Sequence, residues 1–148
     1  MTVFVDSTTL LYTLDRATPQ KQAISAQWLK ALRTSNQLVL SAQVLTECYA
    51  VVRRKAAFGD VRAGIRAYLS DHAQWVRSPL TVDTAILAWR LEDRYATGWW
   101  DAILLASATE ARCSIFLTED LNDQQAYGDV RVLNPFNHEP SQVLASLT

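Results

Sequence analysis

The sequence is poor in the residues that mark several classes of protein. Its 148 residues include two cysteines, four glycines and four prolines, too few for a disulfide scaffold, a collagen-like repeat or a long flexible linker. Cys48 and Cys113 lie far apart in apolar segments, so we expect two buried thiols and no disulfide or metal pair. The composition, 49% hydrophobic and 20% charged, is typical of a globular protein. The length predicts a single domain over residues 1–148.

Long apolar runs are also missing. No uncharged apolar stretch approaches the ~20 residues that a membrane-spanning helix needs. The segment Met1–Leu10 carries an acid, where a secretory leader would have a basic start and a long apolar run. We therefore expect a cytoplasmic protein that does not contact the membrane.

The net charge of −1 gives no general attraction to nucleic acid, but the charges are unevenly distributed. The segment from Arg53 to Arg77 has a balance of +4, and the segment from Asp101 to Asp129 has a balance of −5. This division fits a cation site beside a surface that binds a polyanion. It also fits an ordinary solvated surface, which the charges alone favour.

Short apolar runs alternate with segments of helical periodicity. The predicted strands are Val3–Val5, Gln37–Leu40, Ile115–Leu117 and Val130–Val132. The predicted helices are Pro19–Arg33, one capped by Ser41, one from about Val61 to Leu69, one capped by Thr81, and an uncharged one that begins at Asp101. This alternation predicts an α/β protein with a mainly parallel sheet between layers of helices.

Two of these helices carry apolar positions that we expect to face the core. In the first helix they are Ala23, Trp28, Leu29 and Leu32. In the helix capped by Thr81 they are Val82, Ile86 and Trp89, which recur on one face.

Four acids stand where functional groups gather in parallel sheets. Asp6 ends the first strand, Glu47 lies two turns into the helix after the second, and Asp120 follows Leu117 by three residues. Asp101 opens the uncharged helix. Because the carboxyl ends of parallel strands share one edge, the four can converge there. Each acid also has a structural explanation, as a helix cap, a turn residue or a surface charge.

The absence of local charge pairing favours a shared function for these acids. Glu47 and Asp101 have no cation three or four residues away, where a helix would pair them. A half-buried carboxylate without such a partner is costly unless something neutralises it. Oxygen ligands without His or Cys favour Mg²⁺, or Mn²⁺, over zinc. His72 and His138 lie in polar segments away from these acids, and we expect both at the surface.

Four motifs in order carry a family resemblance. They are Phe4–Tyr12, Leu45–Glu47, Trp100–Ile103 and Leu117–Leu121, followed by a closing Asn134–Phe136. Their order, spacing and flanking residues resemble the PIN-domain ribonucleases. The likeness is greatest to the VapC-type endoribonucleases, the toxins of toxin–antitoxin pairs.

The resemblance implies a three-layer α/β/α domain that binds Mg²⁺ through four acids and cuts single-stranded RNA. It also implies a homodimer and a small antitoxin as partners. By position, Asp6 and Asp101 are the primary metal ligands, and Glu47 and Asp120 complete the catalytic pocket and the metal site.

The chain departs from the family pattern at two positions. Thr8 stands where the family usually has Asn or Ser, and Gly98 stands where it often has Ser. One alternative is therefore a catalytically weakened PIN-like module that binds RNA or protein. Another is a phosphatase of the haloacid-dehalogenase type, but that chemistry needs a second Asp at position 8.

The basic segment supplies the candidates for RNA binding. They are Arg53, Arg54, Lys55, Arg62 and Arg66, expected to contact phosphates rather than bases. Arg54 could instead pair with an acid in the core. Trp99, close to the third acid, is expected in the core or an interface, with stacking on RNA as the alternative.

Overall fold

The computed structural model describes residues 1–55 and 62–146. In that part of the chain, strands join into one sheet with the order β3-β2-β1-β4-β6-β5. The strands are β1 (Val3–Val5), β2 (Leu38–Ser41), β3 (Val76–Ser78), β4 (Ile115–Leu117), β5 (Ala126–Tyr127) and β6 (Val130–Leu133). All neighbouring strands are parallel except β5 and β6, which are antiparallel.

The centre of the sheet follows from its most apolar segments. Val3–Val5 is completely buried and pairs on one side with β2 and on the other with β4, so that Val3 lies opposite both Leu38 and Ile115. Strands covered on both faces need continuous apolar runs rather than alternation. This is why the sequence predicts these three strands to within one residue at each end.

Helices cover both faces of the sheet, which confirms the predicted three-layer α/β/α fold. They are α1 (Ser7–Tyr12), α2 (Pro19–Thr34), α3 (Ala42–Arg54), α4 (Arg62–His72), α5 (Val82–Tyr95), α6 (Trp99–Glu110) and α7 (Pro140–Ala145). The predicted caps are present: Ser41 accepts from the Val44 amide at 3.2 Å, and Thr81 forms a capping box with Thr84. Val61, where the fourth helix was predicted to begin, lies outside the described residues.

Helix α6 is buried along most of its length, as its lack of charge predicts. Every residue from Ala102 to Ala108 is buried, because the helix is covered on most of its sides. Its two ends are less buried, and the first turn carries Asp101. The burial of the rest of α6 fixes the position of this acid relative to the sheet.

Two predicted inward faces are partly wrong. In α2, Trp28, Leu29 and Leu32 are buried, but Ala23 is exposed and Ser25 is buried. In α5, Ile86 is partly buried, but Val82 and Trp89 face outward.

Val82 is 75% and Trp89 54% exposed, whereas α5 buries Thr84, Ala88 and Leu91. Small residues lie on the inner face because α5 packs closely against α6.

His72 is another correction. We expected a surface histidine, but its ring is buried between Tyr68 and Trp75, with ring centroids 4.3 and 5.5 Å away. Burial lowers its pKa, so the ring packs as a neutral aromatic. His138 lies partly exposed and pairs with Asp123 at 2.9 Å. Both cysteines are buried free thiols, as predicted.

The closing motif is attached to the core. The Trp28 indole donates a hydrogen bond to the Pro135 carbonyl at 2.9 Å, and the Phe136 ring packs edge-on against Tyr12. In the described part of the chain, no helix combines the length and apolarity that crossing a membrane would require.

Candidate active site

Asp6 is the most deeply buried of the four predicted acids, with 2% of its surface exposed. It follows β1 and caps α1, and its Oδ1 accepts a hydrogen bond from the Thr9 amide at 2.7 Å. Its Oδ2 accepts one from the Thr118 hydroxyl at 2.5 Å. Burial raises the pKa of Asp6 from 3.8 to about 6, despite these hydrogen bonds, and the nearby charge of Asp120 adds to the rise. Asp6 therefore serves as the cap of α1, one of the structural roles expected for it, while its buried carboxylate has a raised pKa.

Asp120 is held by threonine hydroxyls on either side. The Thr118 hydroxyl accepts a hydrogen bond from the Asp120 amide at 3.1 Å. The Thr8 side chain hydrogen-bonds the Asp120 carboxylate, which lowers its pKa against the larger effect of burial, so that the net shift is upward. Thr8, which stands where the family usually has Asn or Ser, thus makes a polar contact with one of the four acids.

Glu47 joins α3 to α1 through neutral donors. Its Oε2 accepts from the Ser7 hydroxyl at 2.8 Å, and its Oε1 accepts from the Gln43 amide at 2.7 Å. The side chain is partly buried. It is therefore oriented by hydrogen bonds and not neutralised by a cation.

Asp101 lies in the first turn of α6, half-buried. Burial raises its pKa, and the charges of Asp120 and Glu47 raise it further. Gly98 caps this helix without a side-chain hydrogen bond, and a Cβ there would lie 3.6 Å from Asp101 Oδ2. That is ordinary contact, so a serine would fit at position 98.

The structure brings all four acids to the carboxyl-terminal edge of the parallel strands. Asp120 repels both Asp6 and Asp101, and Glu47 repels Asp101. Within residues 1–55 and 62–146, none of the four forms an ion pair with a basic side chain. In the same residues, no three Asp, Glu, His or Cys side chains are grouped so that they could hold a metal ion. The donor set is oxygen-only and fits a hard cation in its chemistry.

Lys21 is a cation near this edge that the sequence did not single out. Its Nζ lies 2.7 Å from Glu119 Oε2 and 4.8 Å from the ring centroids of both Tyr12 and Phe136. Its charge slightly lowers the pKa of neighbouring Asp120. Lys21 therefore ties α2 to the turn after β4.

The predicted basic residues fall into three groups. Arg53 and Arg66 flank the ring of Tyr49, at 5.8 and 5.4 Å from its centroid, and Arg66 Nη2 also donates to the Tyr49 hydroxyl at 2.6 Å. Arg54 bonds the Ala50 carbonyl at 3.2 Å and lines a groove that reaches Glu47. Lys55 and Arg62 are exposed. In the described chain, Arg54 makes no ion pair with a core acid, so that alternative is wrong.

The groove has a volume of about 620 Å³. Its lining residues are Ser7, Gln43, Thr46, Glu47, Ala50, Val51, Arg54 and Trp100. Trp100 is 65% exposed, whereas Trp99 packs against the core. Successive helical residues point roughly 100° apart, so an inward Trp99 turns Trp100 outward. Sequence reasoning considered only Trp99 and missed its neighbour.

Comparison with known proteins decides the family. The PIN domain profile matches residues 3–129. The chain belongs to the PIN-domain family. Among solved structures it is similar to a chain of a toxin–antitoxin complex from Klebsiella pneumoniae, with 20% identity, a TM-score of 0.61 and coverage of 91% of this chain and 98% of that one. No curated protein sequence matches it.

A second similar structure is VapC20 of Mycobacterium tuberculosis, a toxin that cleaves the sarcin–ricin loop. The identity is 21% and the TM-score 0.56, with 78% of this chain and 87% of that chain covered. At this identity the likeness establishes the fold of the PIN-domain chain. The resemblance drawn from the four motifs is thereby confirmed at the level of the family.

Proposed function

We propose that this PIN-domain protein is a metal-dependent endoribonuclease that cleaves single-stranded RNA as the toxin of a toxin–antitoxin pair. The observation that carries the proposal is the set of four carboxylates at one sheet edge, with raised pKa values at Asp6, Asp101 and Asp120. A surface that only binds a polyanion gains nothing from clustered carboxylates. The family match and the likeness to a chain of a toxin–antitoxin complex and to the toxin VapC20 support the same reaction class.

The alternatives are less well supported. A weakened binding module was suggested by Thr8, but the Thr8 side chain makes a hydrogen bond to the Asp120 carboxylate. A phosphatase of the haloacid-dehalogenase type would require an acid at that position. We therefore retain the nuclease as the proposed function.

The proposed roles follow from the position of each acid. The oxygen-only set fits Mg²⁺, with Mn²⁺ as a substitute, which when bound supplies charge neutralisation at the phosphodiester and an activated water. Asp6 and Asp101 are the proposed direct ligands, and Glu47 and Asp120 orient the attacking water and complete the site. Thr118 and Ser7 hold two of these carboxylates through hydrogen bonds. No side-chain nucleophile is needed in this chemistry.

Metal removal tests the proposal directly. Purified protein, freed from any bound partner, is expected to cleave single-stranded RNA with Mg²⁺ or Mn²⁺ and to lose that activity in EDTA. The measurement is product formation on a gel, with activity restored by excess metal as the control. Equal cleavage in chelator would exclude the metal-dependent mechanism.

Phosphate binding by the basic residues is tested by salt dependence. Replacing Arg62 and Arg66 by Ala is expected to weaken RNA binding and to reduce the slope of log K against log salt by about 0.7 for each lost phosphate contact. Arg90→Ala, at an exposed position on α5, is the matched control. An unchanged slope in the double variant would show that these arginines do not contact RNA.

A homodimer is the proposed assembly, with α5 at its interface. Exposed Leu80, Val82 and Trp89 give this helix and its entry an apolar outer surface, and a second copy would cover it. Val82→Asp is expected to shift the protein from dimer to monomer in light scattering, with Asp83→Asn as the control for helix α5 itself. A variant that stays dimeric would place the interface elsewhere. With RNA as substrate, we place the protein in the cytoplasm.

A further inference from the structure

The aromatic face of Trp100 is open to solvent beside the acidic site. It is the residue before Asp101, and the groove it lines ends at Glu47. An isolated exposed tryptophan needs no explanation. Trp100 is different because it forms part of a groove together with residues from α1 and α3.

The groove combines the surfaces that a nucleotide requires. Trp100 offers a flat aromatic face, Ala50 and Val51 add apolar area, and Arg54 contributes a guanidinium. Bases stack on aromatic side chains whatever their identity, and arginine binds the adjoining phosphates. A purely apolar peptide side chain would give the Arg54 guanidinium no negatively charged partner.

A buried acceptor at the groove points to a missing ligand. Gln43 is 8% exposed, and its amide nitrogen donates to Glu47. Its Oε1 has no hydrogen-bond partner among the described residues. Buried polar atoms without a partner are uncommon and costly. A nucleotide brings N–H and 2′-hydroxyl donors to this part of the groove.

We propose that Trp100 is the platform on which one base of the RNA strand stacks, with Arg54 holding the adjoining phosphate. This subsite rests on the proposed function, since it lies beside the acids that would cut the strand. This subsite favours the binding of unpaired bases, because a base within a duplex is already stacked on its neighbours. The requirement for single-stranded RNA then has a physical origin in this side chain.

The test compares the same ribose–phosphate chain with and without bases. In an Asp6→Asn background, which prevents cleavage, binding of a short single-stranded oligoribonucleotide is measured beside its fully abasic counterpart. The parent is expected to prefer the RNA with bases by about tenfold or more, as for loss of one stacking contact. Trp100→Leu is expected to lose most of that preference, and Trp100→Phe to keep most of it, with equal thermal melting in all three.

Each outcome decides the proposal. A parent without base preference, or a Trp100→Leu variant that keeps it, would overturn the subsite. So would a variant that binds RNA normally but no longer binds its antitoxin, since Trp100 would then face a protein. If the wild type fails to cleave RNA with any metal while the base preference depends on Trp100, the nuclease proposal fails and the subsite stands.

Discussion

Asp6→Asn and Asp101→Asn should each reduce RNA cleavage to background while the protein stays folded. Both carboxylates are proposed to bind the metal directly, and an amide oxygen without charge is a poor substitute for a hard cation. Single-turnover cleavage assays with Mg²⁺ measure the loss. Asp129→Asn, at an exposed position outside the site, is the matched control and is expected to cut at the wild-type rate. A variant at Asp6 or Asp101 that does so would remove that residue from the catalytic site.

The same Asp6→Asn variant is expected to be at least as stable as the wild type without metal. Burial raises the pKa of Asp6 to about 6 from 3.8, so the folded protein binds this proton more tightly than the unfolded chain. The resulting destabilisation is complete above about pH 6, shrinks as the pH falls and is absent below about 3.8. Its upper limit is about 3 kcal/mol. Stability that rises with pH between these values in the wild type alone would contradict the argument.

Expression of the wild type alone is expected to arrest bacterial growth, and co-expression with a matching antitoxin is expected to restore it. Under the proposed function, a free ribonuclease would destroy the RNA of its own cell, so we propose that an inhibitor is supplied in trans. The carboxylates at this sheet edge would attract a basic side chain of such a partner, and we propose that an arginine bridges Asp6 and Asp101 in place of the metal. Growth curves after induction measure the effect.

The control for toxicity is Asp6→Asn expressed to the same level, which should be harmless. The folded state of both proteins is checked after purification. If the abundant, folded wild type does not slow growth, the toxin proposal fails. A non-cleaving binding module would then be the better hypothesis.

The sequence predicts the parts of this fold that depend on simple burial. Strands β1 and β4 are predicted to the residue because both faces are covered and the whole segment must be apolar. Edge strand β3 has only partly buried or exposed residues, and β5 is two residues long, so neither carries such a signal. Short α1 was missed because its six residues are too few for a recognisable stripe.

The face that a helix buries was harder to predict than the presence of the helix. The stripe on α5 was found from its periodicity, yet periodicity does not say which face is covered. The partner of α5 is α6, whose close approach favours Ala88 over Trp89 at the contact. His72 was misplaced for a related reason, since the polar composition of its segment does not show that Tyr68, one turn earlier in the same helix, and Trp75, just after it, would cover its ring.

The four acids of the proposed site were named from the sequence, and most of the side chains that contact them were not. Acids at strand ends and without local cations are visible in the sequence. The hydroxyls of Ser7 and Thr118 and the aromatic face of Trp100 act on partners far away along the chain. These contacts form only when the strands are assembled into the sheet, so no local sequence pattern predicts them.

The position of β1 between β2 and β4 has a consequence for the nascent protein. Asp6 is synthesised 112 residues before Thr118, whose hydroxyl holds it and which directly follows the strand that completes the centre of the sheet. A chain interrupted before β4 therefore exposes one edge of β1 and has neither Thr118 nor Asp120. Prematurely terminated products would be inert. Under the proposed function, harm to the producing cell, and the need for an inhibitor, would begin only after Asp120 has been translated.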